Sequence, residues 1–530
     1  MKKWKKVLAG LLVTVMGISM VACSSSNSTA TDTTEAAEAA ESTDAGSGEK
    51  KSQLIVARQV DSDNLDPVTN QYNQDIWVLD SITEGLVQFS SDGTEIIPRL
   101  ADSWEESEDK LTWIFKLKEG IKFSDGTDVT VDDWIFSFER AMAAEESIFA
   151  GYCASIDTVE AGTDDTTLVI HLKNEDAAFL TNMSMCNMKV ISKAAFDANG
   201  GEEEVANGVV GTGPYYIKEW VKDDYLLLAK NEYYRDSVET DEIMIQAVSD
   251  AQTRMMMLQS GEADVITDVP YTNIEELDNM DGITATGIQS GQEKYFIINH
   301  RLNAFGDVKV REAIRYAVDL NEICDMVLAG TGTVASSFYP PSVLYYDDSL
   351  KVTTRDVEKA KELLTEAGYP DGFEFEYCVV AGDTTQEQIA VIAQQQLAEV
   401  GITANIVTYE NAAFRDAFTN NGIEFYVGQW TMQSNDPTSI GDYWFDYSQS
   451  DAYMSGYQND RLTEINTLVK TASEEEREEY YKEMQDTFYD DVIAIPIYYG
   501  SFTVAYSDKV QNFTQSPFGT YDFTQTYVTE

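Results

Sequence analysis

Apolar side chains recur along this chain with two periods, and the switches between them outline its elements. Residues 54–59 (LIVARQ) open on an unbroken apolar run that predicts a buried strand. A turn-rich link at 61–67 (DSDNLDP) leads to a helical stretch at 75–84, with Gly85 as its expected C-terminal stop. Alternation at 111–118 (LTWIFKLK) predicts a strand, Ser124-Asp125-Gly126 a turn, and the spacing at 131–142 (VDDWIFSFERAM) a helix. Further strands are expected at 156–159, 167–172, 241–248 and 263–266. Residues 216–220 and 225–229 read as a hairpin, and 251–259 as a helix stopped by Gly261. From residue 356 the two periods alternate. Helices at 356–367 and 386–400 end at Gly368 and Gly401, and each is followed by a strand, 373–380 and 402–407, which argues for an α/β lobe. Ser473 and Glu476 form a capping-box pattern opening a helix to about Phe488. The strand at 493–499 (IAIPIYY) carries Pro496, which places it at a sheet edge.

The first fifty residues follow neither period. Lys2, Lys3, Lys5 and Lys6 precede an uncharged apolar run at 7–22, the charge order and length of a secretory signal. That run is shorter than the ~20 residues a membrane span needs. Small Ala22 directly before Cys23 resembles the bacterial lipoprotein signal, in which the cysteine is acylated and becomes residue one, although Met20 stands where Leu is more usual. The alternative is an ordinary secretory cleavage site with an incidental cysteine. Residues 24–52 contain no aromatic residue and no Leu, Ile or Val, so they cannot bury enough apolar surface to offset ordering entropy. The expectation is a signal peptide at 1–22, lipidation at Cys23, a tether over 23–52 and a folded body from about Leu54.

Removing residues 1–22 leaves 32 Lys and Arg against 92 Asp and Glu, a net charge of −60. Nucleic acid is thereby excluded as an expected partner, since phosphate contacts draw on clustered cations. The body from residue 53 to 530, about 480 residues, corresponds to roughly three domains at ~150 residues each. Cys153, Cys186, Cys324 and Cys378 show no CxxC or metal-ligand spacing and read as buried thiols, with one disulfide as the alternative. No HExxH, GxSxG, P-loop or EF-hand loop occurs, and His171 and His300 are the only histidines. Gly330-Thr331-Gly332 with Ala335 fits a loose GxGxxA, but no strand–turn–helix unit surrounds it. No catalytic residue, metal ligand or cofactor is assigned.

Residues 97–127 read IPRLADSWEESEDKLTWIFKLKEGIKFSDGT, and this resembles the signature of the extracellular solute-binding proteins of family 5, the oligopeptide and dipeptide binders of ABC importers. The resemblance continues through LDP at 65–67, EGL at 84–86, GTGPY at 211–215 and SGEADV at 260–265. It extends to FGDVKVREAIRYAVDLNEI at 305–323, YPP at 339–341, AKELLTEAGYPDG at 360–372 and IPIYY at 495–499. It implies an α/β, two-lobe periplasmic-binding-protein-like fold with a two-strand hinge. Lobe I combines 53–90, 210–291 and 501–530, an inserted subdomain occupies 91–209, and lobe II runs over 292–500. The implied function is that of a monomeric, lipid-anchored substrate-binding protein on the extracellular face of the bacterial cell membrane. It would capture oligopeptides by lobe closure and deliver them to an ABC permease, without catalysis. The alternative keeps fold and role with a non-peptide solute, since relatives also take oligosaccharides, opines and metal chelates.

The resemblance carries the ligand strand onto residues 428–437 (GQWTMQSNDP). Peptide-binding relatives resemble W-x-x-D-x-x-[DE]-P there, and the first Asp pairs with the peptide's α-ammonium group. Trp430, Asp436 and Pro437 match, while Gln433 stands at the Asp position. A neutral amide accepts a hydrogen bond but supplies no charge, so charge-assisted pairing is lost at that position. The implied ligand-binding residues are Trp430, Thr431, Met432, Gln433 and Asn435 from this strand, Gln71, Tyr72 and Asn73 from the loop after LDP, and Tyr295 from the crossing strand. Asp436 and Pro437 are read as structural, and Arg415 as a weakly supported counter-charge for a carboxylate.

Overall fold

The computed structural model describes residues 50–447 and 451–530. The expected signal, Cys23 and the tether up to residue 49 lie outside the described residues. Residues 50–52, expected to belong to the tether, are part of the body: Lys50 bridges to Thr529, and the Lys51 N–H donates to the Val528 carbonyl at 2.8 Å.

Among the described residues, eleven strands form one mixed sheet. Its path runs Tyr215–Val221, Tyr225–Lys230, Glu242–Ala247, Gln53–Arg58, Val265–Thr267, Ile495–Ser507, Ile283–Ile298, Phe425–Thr431, Glu374–Val380 and Thr403–Tyr409, with Thr333–Val334 attached to Ile495–Ser507. The two longest strands, Ile283–Ile298 and Ile495–Ser507, carry the sheet from its first half to its second. They pair antiparallel over 283–289 with 501–507, lose register at Ser290, Gly291 and Gln292 opposite Gly500, and resume at Glu293 with Tyr499. Ser290 fills the break: its hydroxyl donates to the Gly500 carbonyl at 2.9 Å and accepts from the Gln292 N–H at 3.1 Å. Two extended strands with an interrupted ladder are a mechanically soft connection between two well-packed bodies.

Each body has its own core. On the first side, Leu54, Val56, Leu226, Leu228, Ile243 and Ile245 bury the alternating face of adjacent strands. On the second, parallel strands Glu374–Val380 and Thr403–Tyr409 are joined through helix Thr384–Ala398, whose Ile389, Ile392, Ala393 and Leu397 are buried as the spacing predicts. A separate four-stranded antiparallel sheet, Ala101–Glu106, Thr112–Leu117, Thr167–Leu172 and Ile156–Ala161, packs on helix Val131–Ala143. That helix starts at a capping box of Thr130 and Asp133.

Two local expectations are corrected. Pro496 lies inside the long crossing strand and not at an edge, opposite Tyr295 where the ladder shifts between Lys294 and Tyr295. A residue with no N–H is tolerated there because the ladder is already interrupted. Gly85 does not end the first helix. Asn73–Ile82 stops at Thr83, whose N–H and hydroxyl both donate to the Leu79 carbonyl, and Gly85 pairs with Lys189 in a short bridge.

The four described cysteines are buried and unpaired. Burial pushes the Cys186 and Cys378 thiols up to about 12 and that of Cys324 to about 11. His300 is half-buried, bonded to the Ile493 carbonyl at 3.0 Å, and desolvation lowers its pKa to about 3, so it is a neutral structural residue at physiological pH.

Candidate functional site

Strand Phe425–Thr431 lies beside Glu293–Ile298, with Thr431 opposite Gln292 and Trp430 opposite Glu293. At its end the chain leaves the sheet: the Met432 N–H donates to the Gly291 carbonyl at 2.9 Å, beside the register break of the crossing strands. The following turn is held rigidly. Asp436, 4% exposed, receives two hydrogen bonds from Arg477 Nη2 at 2.7 and 2.9 Å and one from the Thr438 N–H, opening helix Thr438–Phe445. Asp436 and Pro437 are thus structural, as their sequence context implies.

From the other side of the hinge comes helix Asn73–Ile82. A cavity of about 550 Å³ opens beside it, and both Asn73 and Gln433 line its wall. That volume is within the range of small-molecule sites. Most of the cavity's charged lining is paired: buried Glu84 with Arg99 and, at 2.9 Å through both oxygens, with Arg235, and Lys189 with Asp80 at 3.2 Å, while Asp522 is held by the Thr524 N–H and hydroxyl. The two sides touch directly around it. Asn435 Nδ2 donates to the Thr94 carbonyl at 3.1 Å, and the Ala177 N–H donates to the Lys470 carbonyl at 2.7 Å.

Of the residues the sequence singles out, Asn73 and Gln433 meet in this cavity and the others do not line it. Gln71 and Tyr72 are exposed at the helix entry. Met432 is buried in the core, Thr431 half-buried at the strand end, and Asn435 serves the bond to Thr94. Tyr295 is fully buried, its hydroxyl donating to the Phe338 carbonyl at 2.9 Å and its ring edge-on to Trp444, so it is a core residue behind the strand. Trp430 is half-buried and packs at a tilt on Tyr443 with centroids 4.7 Å apart. Arg415 is exposed on helix Asn411–Thr419.

Sequence reasoning passed over Glu293, between Trp430 and Tyr499 in the sheet register. It is 1% exposed, and neither carboxylate oxygen has a hydrogen-bond partner among the described residues. Burial pushes its carboxyl well above the usual range. Its signal was available as phase: residues 293, 295 and 297 share one face of the strand, and Tyr295 and Ile297 belong to the core. Among the described residues no cluster of His, Cys, Asp or Glu is placed to hold a metal, and no helix is long and apolar enough to cross a membrane.

Comparison with known proteins gives this geometry its context. Residues 95–452 match the family description "Bacterial extracellular solute-binding proteins, family 5 Middle". Heme-binding protein A of Haemophilus influenzae is 30% identical over 470 residues, covering 82% of this chain and 84% of that protein. Glutathione-binding protein GsiB of Escherichia coli O1:K1 is 30% identical over 480 residues, 88% of this chain and 92% of that one. The periplasmic binding protein DppA of Helicobacter pylori, solved with the peptide STSA, superposes with a TM-score of 0.77 at 26% identity, over 90% of this chain and 98% of that one. The two-strand crossing, the two cores and these matches over nearly the whole body lead to one conclusion: the chain belongs to the family 5 extracellular solute-binding proteins, two-lobe substrate-binding components of ABC importers rather than enzymes.

Proposed function

We propose that this protein captures short peptides between its lobes and presents them to an ABC permease, anchored to the outer face of the bacterial membrane through a lipid on Cys23. In this reading lobe I is 53–90, 210–291 and 501–530, the inserted subdomain 91–209 and lobe II 292–500, and the protein acts as a monomer. The observation that carries it is the meeting of Asn73 and Gln433, from opposite sides of the two-strand crossing, in one cavity of about 550 Å³. Two lobes that each supply polar groups to one enclosed space bind by closing on the ligand, because the solute's contacts to both lobes are complete only in the closed state. A site that excludes water must meet the ligand's polar groups with fixed partners, and a peptide backbone offers such groups at regular intervals.

Peptides are favoured as cargo because relatives and structural neighbours include binders of glutathione, of D,D-dipeptides and of the peptide STSA. A non-peptide solute is the second reading, supported by the heme-binding relative and by the neutral Gln433 at the expected anchor position.

Native mass spectrometry of the chain from Ser24 to Glu530, followed by denaturation and identification of what is released, separates the two. A heterogeneous set of peptide masses is expected; a single sugar or small-solute mass moves the assignment to the second reading. Metabolic labelling with a fatty acid tests the anchor: label on the wild-type chain and none on Cys23→Ser is expected, and equal labelling of both contradicts it.

A further inference from the structure

The strand that leads out of the hinge brings an unpaired carboxylate to the side of the ligand strand. Glu293 is the first residue in register after the break at 290–292 and lies opposite Trp430, which is outside the cavity lining and three positions before cavity-lining Gln433. At 1% exposure, with both oxygens unpartnered, it has no Lys, Arg or His in ion-pair range among the described residues. Two hydroxyls lie near it: that of Tyr295, close enough to interact with the carboxyl, donates to the Phe338 carbonyl, and that of Tyr499 accepts from the Ser336 and Ser337 N–H groups.

Glu293 is not alone in lacking a partner. Trp430 Nε1 and Tyr453 Oη are also buried without one. The three belong to one contiguous patch: Trp430 packs at a tilt on Tyr443 (4.7 Å), Tyr443 meets Tyr453 edge-on (5.0 Å), and Tyr453 packs against Tyr295 (5.9 Å), which shares its strand face with Glu293. The patch also includes backbone strain, since Tyr453 and Met454 have φ of 50° and 54°. Buried polar groups without partners are rare in proteins, and a buried charge without a counter-ion is costlier still. Three of them together beside a ligand strand call for a partner from outside the chain. A carboxylate among aromatic rings suits an ammonium or guanidinium group, which gains a charge-assisted hydrogen bond and lies against electron-rich ring faces.

We propose that Glu293 receives a cationic group of the bound solute, with Trp430 and Tyr453 beside it, and so supplies from the hinge strand the negative charge that Gln433 lacks. This rests on the reading of the inter-lobe cleft as the solute site. It makes the cargo a solute with a free amino group or a basic side chain.

The test presents the chain 24–530, stripped of bound solute, with four pools and reads retention by mass spectrometry after gel filtration. The pools are tetrapeptides with free amino termini and no basic residues, the same peptides N-acetylated, N-acetylated tetrapeptides containing Lys or Arg, and a non-peptide mixture of spermidine, choline and agmatine. The wild type is expected to retain free-amino or basic peptides at least tenfold over the neutral acetylated pool. Glu293→Gln is expected to lose that preference, and Glu293→Asp, which keeps the charge, to retain part of it. Retention of the free-amino pool assigns the seat to the α-ammonium group; retention of the acetylated basic pool assigns it to a side chain. Equal retention of the neutral pool, or a preference undiminished in Glu293→Gln, overturns the role of Glu293 while leaving peptide capture standing. If no peptide pool is retained, peptide capture fails instead, and the fourth pool decides: cations held by the wild type and lost by Glu293→Gln uphold the seat, and cations held by neither overturn it. Thermal melting of the Gln variant confirms that it is folded.

Discussion

Asp436 and Glu293 are two carboxylates with nearly the same exposure, 4% and 1%, and opposite surroundings. Asp436 is enclosed by its own chain. Arg477 reaches it at 2.7 and 2.9 Å, Thr438 donates through its N–H and hydroxyl, and a helix starts from the result. Glu293 has no cationic partner among the described residues, and the Tyr295 hydroxyl beside it donates to the Phe338 carbonyl. Burial alone therefore says little about what a charged group does; the location of its counter-charge says much more. Where the chain supplies the counter-charge, the group fixes structure. Where the chain withholds it beside a cleft, the group is free to be completed by a ligand.

The largest effect should come from breaking the completed pair. Asp436→Asn leaves the buried Arg477 guanidinium without a counter-ion and should lower unfolding stability by about 3–5 kcal/mol in urea titration. A loss below about 1 kcal/mol would place the two carboxylates in the same class.

Glu293→Gln should act in the opposite direction. Its folded-state pKa is raised by burial, so the unfolded chain ionises first as pH rises through its ordinary value of 4.5, and the native state loses stability from there upward. The titratable groups coupled to it, Tyr295, Tyr453 and Tyr499, all have pKa values raised well above 10 and stay neutral in this range. The solute-free variant should therefore match the wild type near pH 4 and exceed it in stability at pH 7. Melting curves at both pH values check this, and a variant less stable at pH 7 would count against an unpaired charge.

Closure supplies the next step. Asn435→Ala removes the donor to the Thr94 carbonyl, one hydrogen bond across the cavity, and should weaken solute binding by roughly 1 kcal/mol with little change in fold stability. Equal losses in binding and stability would show that bond to be part of the fold. The smallest effect is expected for Tyr453→Phe, which deletes a hydroxyl that has no partner in the solute-free chain and should shift stability by less than about 0.5 kcal/mol.

How much of this was legible in the sequence follows from how local each signal is. Helix Val357–Glu366 is marked at both ends by Asp356, which accepts from the Lys359 N–H, and by Gly368 at φ 89°. The capping box of Ser473 and Glu476 opens helix Glu474–Asp490 as its spacing predicts. The crossing strands were misread because their meaning is non-local. Pro496 has the local character of an edge residue, and only the register shift between 283–298 and 495–507 explains its central place. Among the site residues, Asn73 and Gln433 were reached through motif position, whereas Tyr295, reached by the same route, proved to be core. Glu293, one acid among 92, carried only the mark of its strand phase with Tyr295 and Ile297; what distinguishes it further is the lack of a counter-charge, which only the folded chain reveals.

The most direct measurement is titration calorimetry of the solute recovered from the wild-type protein against stripped wild-type and Glu293→Gln chains. The account predicts an affinity at least tenfold weaker for the variant, in a protein that is folded and more stable without solute. An unchanged affinity would make Glu293 a buried structural acid like Asp436 and contradict the distinction drawn between them.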